Sequence, residues 1–475
     1  MRSTLRRPAE WATVGPAWSM PAFLGLALLL RLPAVLFADG YEFVDQQFQY
    51  IDPAWHLASG DDWDVAWEYE CGIRSWVYPG FLAGLFRMLM AVGLDAPLAM
   101  MRAVRGLHAI VSLLPLWVFW LAINRWRPVA APRLPLLLFA ASGMVITVGV
   151  QPSAPALAAT MALAAVLAFH GPRWFPLAGG VLLGLAFCCR FQDAVFGPAV
   201  VAVGLWQRRW RAVGWFTLGC VPGILLQGFV DQIMNGQFLG SPWHYFRINV
   251  LEGVSTRVGT KPWYFYLLIV PPLVMMLPPW IGSAWQRLRA GSLVLPGAMA
   301  AAALHLVAHS LVSRKAVRFE YGALCLLVAV IAAGLGSAAT SRWTASHRWA
   351  LVVAQLLLFC WASFYRGHQG AIAAALALRA EPAFHGELLI VDAEPPVAGG
   401  AYYLRREHLA LRAVEAAALP HELRGEGAQD AFVLTCRQPL DAAVVDACGL
   451  EQFGMFTGML DLRQRDRRFL YRRRR

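Results

Sequence analysis

The run MPAFLGLALLLRLPAVLF across Met20–Phe37 carries one charge, Arg31, and is followed at once by a segment of opposite character, Asp39–Tyr78. That segment holds nine acidic residues (Asp39, Glu42, Asp45, Asp52, Asp61, Asp62, Asp64, Glu68 and Glu70) against one basic residue, Arg74. Eighteen apolar residues suffice to cross a bilayer. Arg2, Arg6 and Arg7 precede the run, so the positive-inside bias predicts entry from the cytoplasm and an acidic loop on the far side. No small-residue cleavage site follows, so the run reads as an uncleaved first span.

Apolar runs of this kind recur to Phe364. Hydrophobic residues make up 58 % of the 475 positions and charged residues 15 %, and the mean hydropathy is +0.51. Ordinary globular domains hold about 45–50 % and about 25 %. These values exclude a disordered chain, a secreted disulfide scaffold and a water-soluble enzyme, and predict a polytopic helical membrane protein. Of 41 basic residues only Lys261 and Lys315 are lysine, a bias that points to a GC-rich bacterial genome and hence to an inner membrane.

The net charge of +12 sits in short loops, so it reads as a topology signal and not as a nucleic-acid footprint. Arg125, Arg127 and Arg133 lie in one loop and Arg173 in another. Arg208, Arg209 and Arg211 follow, then Arg287 and Arg289, then Arg342 and Arg348. None of the five loops contains an acid. All five read as cytoplasmic, and the loops between them as extracytoplasmic. Parity then leaves Pro79–Leu94, short and interrupted by Arg87, as an interfacial or re-entrant helix. About eleven spans remain. The expected organisation is a cytoplasmic N-terminus (1–19), a transmembrane domain (20–365) with outer loops 39–78 and 231–262, and a small extracytoplasmic α/β domain (366–475). In the last, Glu387–Val391 and Ala431–Thr435 read as strands, and Ala371–Leu378, Arg405–Ala418 and Leu440–Asp446 as helices. Cys436 and Cys448 would be free to pair there.

The outer loops are long and dense in polar and aromatic residues, whereas the spans carry almost no acids. A transporter usually places ionisable groups near the midplane, so the pattern favours an enzyme working at the outer face over a carrier or flippase. On a regular helix Asp45, Gln49, Asp52 and His56 fall at i, i+4, i+7 and i+11, one face. Such a face suits a base with hydroxyl-binding partners, or equally a solvated helix on the bilayer surface. Asp231–Pro262, with Trp243 and His244, suits a sugar-binding wall or an interfacial aromatic belt. The basic cluster Ser313–Glu320 lies at the outer end of a span, against the positive-inside bias. A lipid phosphate would hold it there, with Arg190 joining; the plain alternative is snorkelling to headgroups.

Taken together, these loops resemble a known family. The order Asp45…Phe48-Gln49…Asp52…His56, Trp67-Glu68-Tyr69, Arg74-Ser75, Tyr78-Pro79 is similar to the first lumenal loop of glycosyltransferase family 22, the dolichyl- or polyprenyl-phosphate-mannose-dependent α-mannosyltransferases. Asp231…Asn235-Gly236…Pro242-Trp243…Phe246…Asn249-Val250…Gly259…Pro262-Trp263-Tyr264 resembles its later loop. Lys315…Arg318-Phe319 resembles its His-Lys-Glu-x-Arg-Phe motif. The family usually shows Asp-Glu where this chain has Asp45-Gln46. The resemblance spans roughly residues 31–320 and implies an all-α GT-C fold with a polyprenyl-phosphate-linked sugar donor and a glycan or glycolipid acceptor. It further implies inverting transfer with no cofactor, neither nucleotide nor required metal. Asp45 is expected as the catalytic base. Gln46, Gln49, Asp52, His56, Trp67, Glu68, Arg74, Trp243, His244 and Asn249 are expected to bind substrate. Arg190, Lys315 and Arg318 are expected to hold the donor phosphate. The implied partners are these two substrates and membrane lipids, with the site facing the periplasm of a bacterial inner membrane.

Overall fold

A computed structural model describes residues 18–274, 281–336, 345–365, 367–393, 398–406, 408–424, 431–458, 461 and 465–474. The N-terminal arginines and Arg342 lie outside them, as does most of the expected 1–19 segment. Four described helices are long and apolar enough to cross a membrane: Met20–Phe37, Pro97–Trp126, Trp210–Asn235 and Val317–Leu335. Two bent pairs qualify as further spans, Arg133–Ala141 with Gly143–Val150 at 51° and Trp285–Val294 with Pro296–Leu311 at 120°. The chain is an integral membrane protein. Several other apolar helices, Val77–Ala91 among them, run only 10–17 residues, so length and composition alone mark four to six spans among the described residues.

The bundle hides its charges by pairing them with carbonyls, as a low-dielectric interior requires. Arg31, fully buried in the first span, donates from Nε to Ser112 Oγ (2.7 Å) and from Nη1 to the Ala27 carbonyl (2.8 Å). Arg105 donates to the carbonyls of Val35 and Ala38 (3.0 and 2.7 Å) and to Asp39. It thereby closes the end of the first span, where unpaired carbonyls attract a cation. Helices Phe175–Cys189 and Trp210–Asn235 pack backbone to backbone. A Cβ on Gly223 would lie 2.2 Å from the Gly184 carbonyl carbon, so only glycine permits that approach.

Arg87, which interrupts Val77–Ala91, donates to the carbonyls of Leu57 and Ala58 (2.5 and 3.3 Å) at the end of helix Asp52–Ser59. Tyr78, Leu82 and Phe86 of the same helix are buried in a cluster with Ile51 and Trp55. The helix is therefore anchored on the first outer loop.

The C-terminal region is a five-stranded mixed sheet of β1 (Glu387–Val391), β2 (Ala410–Val414), β3 (Phe432–Cys436), β4 (Leu450–Phe456) and β5 (Arg468–Arg473). The order is β2-β1-β3-β5-β4, with β1 parallel to β2 and β3 and the β3–β5 and β4–β5 pairs antiparallel. Side chains alternate between two cores. Leu388, Ile390, Phe432 and Leu434 face the cluster shared with the first outer loop, while Leu389, Val391 and Val433 face the outer one. Where a helix Arg405–Ala418 is expected, the chain instead forms strand β2, which follows the short helical turn Ala401–Leu404. The strand's Ala-Leu-Arg-Ala-Val composition favours a helix locally, and parallel pairing with β1 overrides that preference. Arg472 of β5 pairs with Glu451 of β4 (2.7 Å), and Arg474, just beyond β5, pairs with Asp446 (2.8 Å). Cys436 and Cys448 are free thiols.

This sheet domain is bolted to the first outer loop through Asp52. The buried carboxylate accepts from Gln47 Nε2 (2.7 Å) and from the backbone N–H groups of Tyr402 (2.9 Å) and Ala401 (3.2 Å). Gly400 makes room at φ +83°, where a Cβ would lie 2.5 Å from Asp52 Oδ2. Burial pushes the Asp52 carboxyl up to about 7, and the hydrogen bonds from Tyr402, Gln47 and Ala401 only partly offset it. In the unfolded chain the same group titrates near about 4. Between those values the folded state binds the extra proton, so stability falls as pH rises from about 4 to about 7 and the loss is complete above the folded value. Thermal unfolding in detergent should therefore show a midpoint that declines across this range. In Asp52→Asn that part of the slope should vanish; an unchanged slope would assign the pH dependence elsewhere.

Candidate active site

The motif Val44-Asp-Gln-Gln-Phe-Gln-Tyr-Ile51 does not form one regular helix. A single α-turn, Val44–Gln46, passes into a π-helical stretch, Gln47–Ile51, before helix Asp52–Ser59 resumes. The wider turn changes the angular register. Asp45 and Asp52 therefore do not share a working face, which corrects the expectation from regular spacing. Asp45 points into a cavity and Asp52 toward the C-terminal domain.

The cavity, about 150 Å³, lies where four chain segments meet. The first outer loop supplies Asp45, Trp67, Glu68 and Arg74; the second supplies Tyr245, Asn249 and Ser255; the short turns at Arg190 and Arg318 close it. The loops are tied by Asp231 at the end of its helix. Its Oδ1 accepts from Gln227 (2.8 Å), and Oδ2 accepts from the Ser241 N–H (3.0 Å). Ser241 Oγ lies 2.7 Å from Asp231 Oδ1 and 3.1 Å from the Arg74 carbonyl, and Ser75 donates to Gln227 (2.7 Å). These bonds fix the segment that carries Arg74.

Charge is concentrated in this space. Arg318 Nη2 donates to Asp45 Oδ2 at 2.6 Å, and its guanidinium lies 4.5 Å from the Phe43 ring centroid and 5.3 Å from that of Phe319. Arg190 also sits over Phe319 (5.3 Å) and donates to the Arg318 carbonyl (2.9 Å). Arg74 lies 3.5 Å from Glu68, which accepts from Gln49 Nε2 at 2.5 Å. Carboxylates, aromatic faces and carbonyls together hold these guanidinium groups in place. An anion entering here finds oriented positive charge beside a carboxylate.

Of the residues expected in the site, Asp45, Trp67, Glu68, Arg74, Arg190, Asn249 and Arg318 line this cavity. Gln49 stands behind Glu68. Gln46 is buried, its carbonyl accepting from Gln151 (2.8 Å) and the Glu42 N–H (3.2 Å). His56 Nδ1 lies 2.8 Å from the Asp61 carbonyl. Trp243 is half exposed to the outside, and His244 packs beside Gly72. The Lys315 ammonium donates to the carbonyls of Val312 (2.5 Å) and Lys261 (3.2 Å), outside the cavity. The neighbouring Arg314 lines it instead, as do Tyr50, Gln192 and His309. His309 had a legible signal: two histidines, 305 and 309, stand four residues apart in an apolar helix.

With this geometry in hand, comparisons with known proteins place the chain. The bundle and its C-terminal domain share the fold of ArnT from Cupriavidus metallidurans. The TM-score is 0.58 to the form bound to undecaprenyl phosphate, at 15 % identity over 94 % of this chain and 97 % of that one. It is 0.55 to the apo form, at 16 % identity over 94 % and 96 %. The model of the Alg9-like mannosyltransferase family matches residues 22–380, and the chain belongs to that family. GPI mannosyltransferase 3 of Drosophila melanogaster is 25 % identical over 331 residues, 67 % of this chain and 56 % of that protein. Mannosyltransferase APTG1 of Arabidopsis thaliana is 24 % identical over 264 residues, 50 % of this chain and 45 % of that protein. The chain thus spans about half the length of these relatives. Both are eukaryotic proteins, so they lend no support to the bacterial inner membrane expected from the arginine bias.

Proposed function

We propose that this protein is an inverting mannosyltransferase that takes mannose from a polyprenyl-phosphate carrier and passes it to a hydroxyl of a lipid-linked glycan, at the extracytoplasmic face of its membrane. The observation that carries this reading is the Asp45–Arg318 pair beside Arg190 and Arg314 in one cavity. Family membership supports the sugar. Similarity to a GPI mannosyltransferase supports a glycolipid acceptor, and the undecaprenyl phosphate in the ArnT complex supports a polyprenyl carrier.

In this mechanism Arg318, Arg190 and Arg314 receive the donor phosphodiester. As the anomeric C–O bond breaks, its electron pair leaves with the polyprenyl phosphate. The guanidinium groups grip that growing charge more tightly in the transition state than in the ground state. Among the described residues no donor reaches Asp45 Oδ1, which leaves it open to accept the proton of the acceptor hydroxyl. The acceptor oxygen attacks the anomeric carbon opposite the phosphate, so the configuration inverts. Glu68, held by Gln49 and Arg74, orients sugar hydroxyls, and Trp67 walls the ring. Lys315 has no direct part; it braces the loop that presents Arg314 and Arg318.

The test is transfer from synthetic polyprenyl-phosphate-mannose to a mannoside acceptor by the purified protein. Product with the opposite anomeric configuration is expected. Transfer only from a polyprenyl phosphate that carries a different sugar would reassign the donor. Binding and transbilayer movement of the lipid without any bond cleavage would make the protein a carrier.

A further inference from the structure

Beneath the cavity lies a group of buried side chains that the transfer mechanism does not use. His305 and His309 stand one turn apart on helix Pro296–Leu311, Glu320 ends the short turn Val317–Glu320, and Asp193 sits in the turn Phe191–Val195. Asp193, His305 and Glu320 are about 1 % exposed or less and His309 8 %. His305 Nδ1 lies 2.9 Å from Glu320 Oε2, and His309 Nδ1 lies 3.7 Å from Glu320 Oε1. His305 Nε2 is 3.6 Å from Asp193 Oδ1. Ligand atoms of His305, His309 and Glu320 all fall within 4.8 Å of one another.

The polar accounting does not close. Among the described residues Glu320 Oε1, both Asp193 oxygens and His305 Nε2 are buried without a hydrogen-bond partner. Leaving such groups unpaired is costly. Nor does the charge close. Of the two buried carboxylates, Asp193 has the Arg190 guanidinium 3.8 Å from its Oδ1, while Glu320 has no Arg or Lys within ion-pair distance among the described residues. A proton on His305 would restore neutrality. It would still leave His305 Nε2 beyond hydrogen-bond reach of Asp193, and Glu320 Oε1 unserved. Two imidazoles at i and i+4 on one helix face with a carboxylate opposite form a donor set suited to a zinc-like divalent ion. Stacking of His305 on Phe196 (4.4 Å, 7°) already fixes one ring. The other must give up the 3.1 Å contact between His309 Nδ1 and the His305 carbonyl.

We infer that His305, His309 and Glu320 bind one divalent transition-metal ion, with Asp193 as the neighbouring carboxylate. The ion ties together the segments that carry Arg190 and Arg318, and His309, which lines the cavity, offers its way in. The proposal does not depend on the transferase reading, because binding is measured without turnover.

The full chain, purified in detergent with any affinity tag removed, is stripped with a chelator and titrated with Co²⁺ and then Zn²⁺. Expected are one equivalent of Co²⁺ per chain, visible absorption bands from nitrogen and oxygen ligation, bleaching by Zn²⁺ and a higher unfolding midpoint. His305→Ala, His309→Ala and Glu320→Gln should each lose the bands. Absence of saturable binding by the wild-type chain overturns the proposal, and would fit a protonated His305 instead. So does binding that persists at full stoichiometry in all three variants. A variant that elutes as aggregate is replaced by His309→Phe, which keeps the ring volume; retained bands there would also count against the site.

Discussion

Asp45→Asn is expected to lower the turnover of lipid-linked mannose by about a hundred- to ten-thousand-fold, the range that general-base groups contribute. The amide keeps the size of the carboxylate and can still accept from Arg318 through its carbonyl, so the loop should hold its place. What disappears is the capacity to take a proton. The effect should therefore fall on kcat, with donor affinity changed little. Donor binding by the variant, followed by isothermal titration with a non-transferable lipid-phosphate analogue, separates the two terms. Full activity in Asp45→Asn would remove this residue from the chemistry. A large rise in KM with kcat intact would make it a binding group only.

Arg318→Ala is expected to cost about a hundred- to a thousand-fold in kcat/KM for the lipid donor, the loss seen when a single group stabilising developing charge is removed. The residue pairs with Asp45 at 2.6 Å and sits over two phenylalanine rings. Its removal strips the phosphate of a fixed partner and leaves the Asp45 carboxylate without its own. Arg318→Lys restores charge but neither the planar fork nor the stacking on Phe43, so it should recover only part of the loss. The acceptor KM should be nearly unchanged in both variants. If acceptor use fell as far as donor use, Arg318 would be a structural strut of the cavity and not a phosphate contact.

Much of this arrangement could be read from the residues. The alternation of acidic and arginine-rich loops marked a membrane bundle, and motif order pointed to the outer loops that build the cavity. Spacing failed where a local distortion intervened. The π-helical stretch Gln47–Ile51 separates Asp45 from Asp52, and no composition announces such a turn. Arg314 was hidden beside Lys315 in one basic cluster; only the tertiary course of that loop decides which faces inward. β2 was misread because its edge position exposes it, so its residues need not look like a strand. The His305–Glu320 contact joins a helix to a turn through fifteen positions of chain, which pattern reasoning along one element does not bring together.

The bolt between Asp52 and the N–H groups of Ala401 and Tyr402 joins residues about 350 positions apart. The acidic loop is synthesised early, yet its buried carboxylate acquires these two donors only after the chain near residue 400 has emerged and crossed to the same side. Long-range closure of this kind is slow and comes late in assembly. The outer loop must therefore wait, partly unlocked, while the whole bundle is inserted, and a chain stopped short of residue 400 would carry every cavity-lining residue without the last contacts that set its first loop.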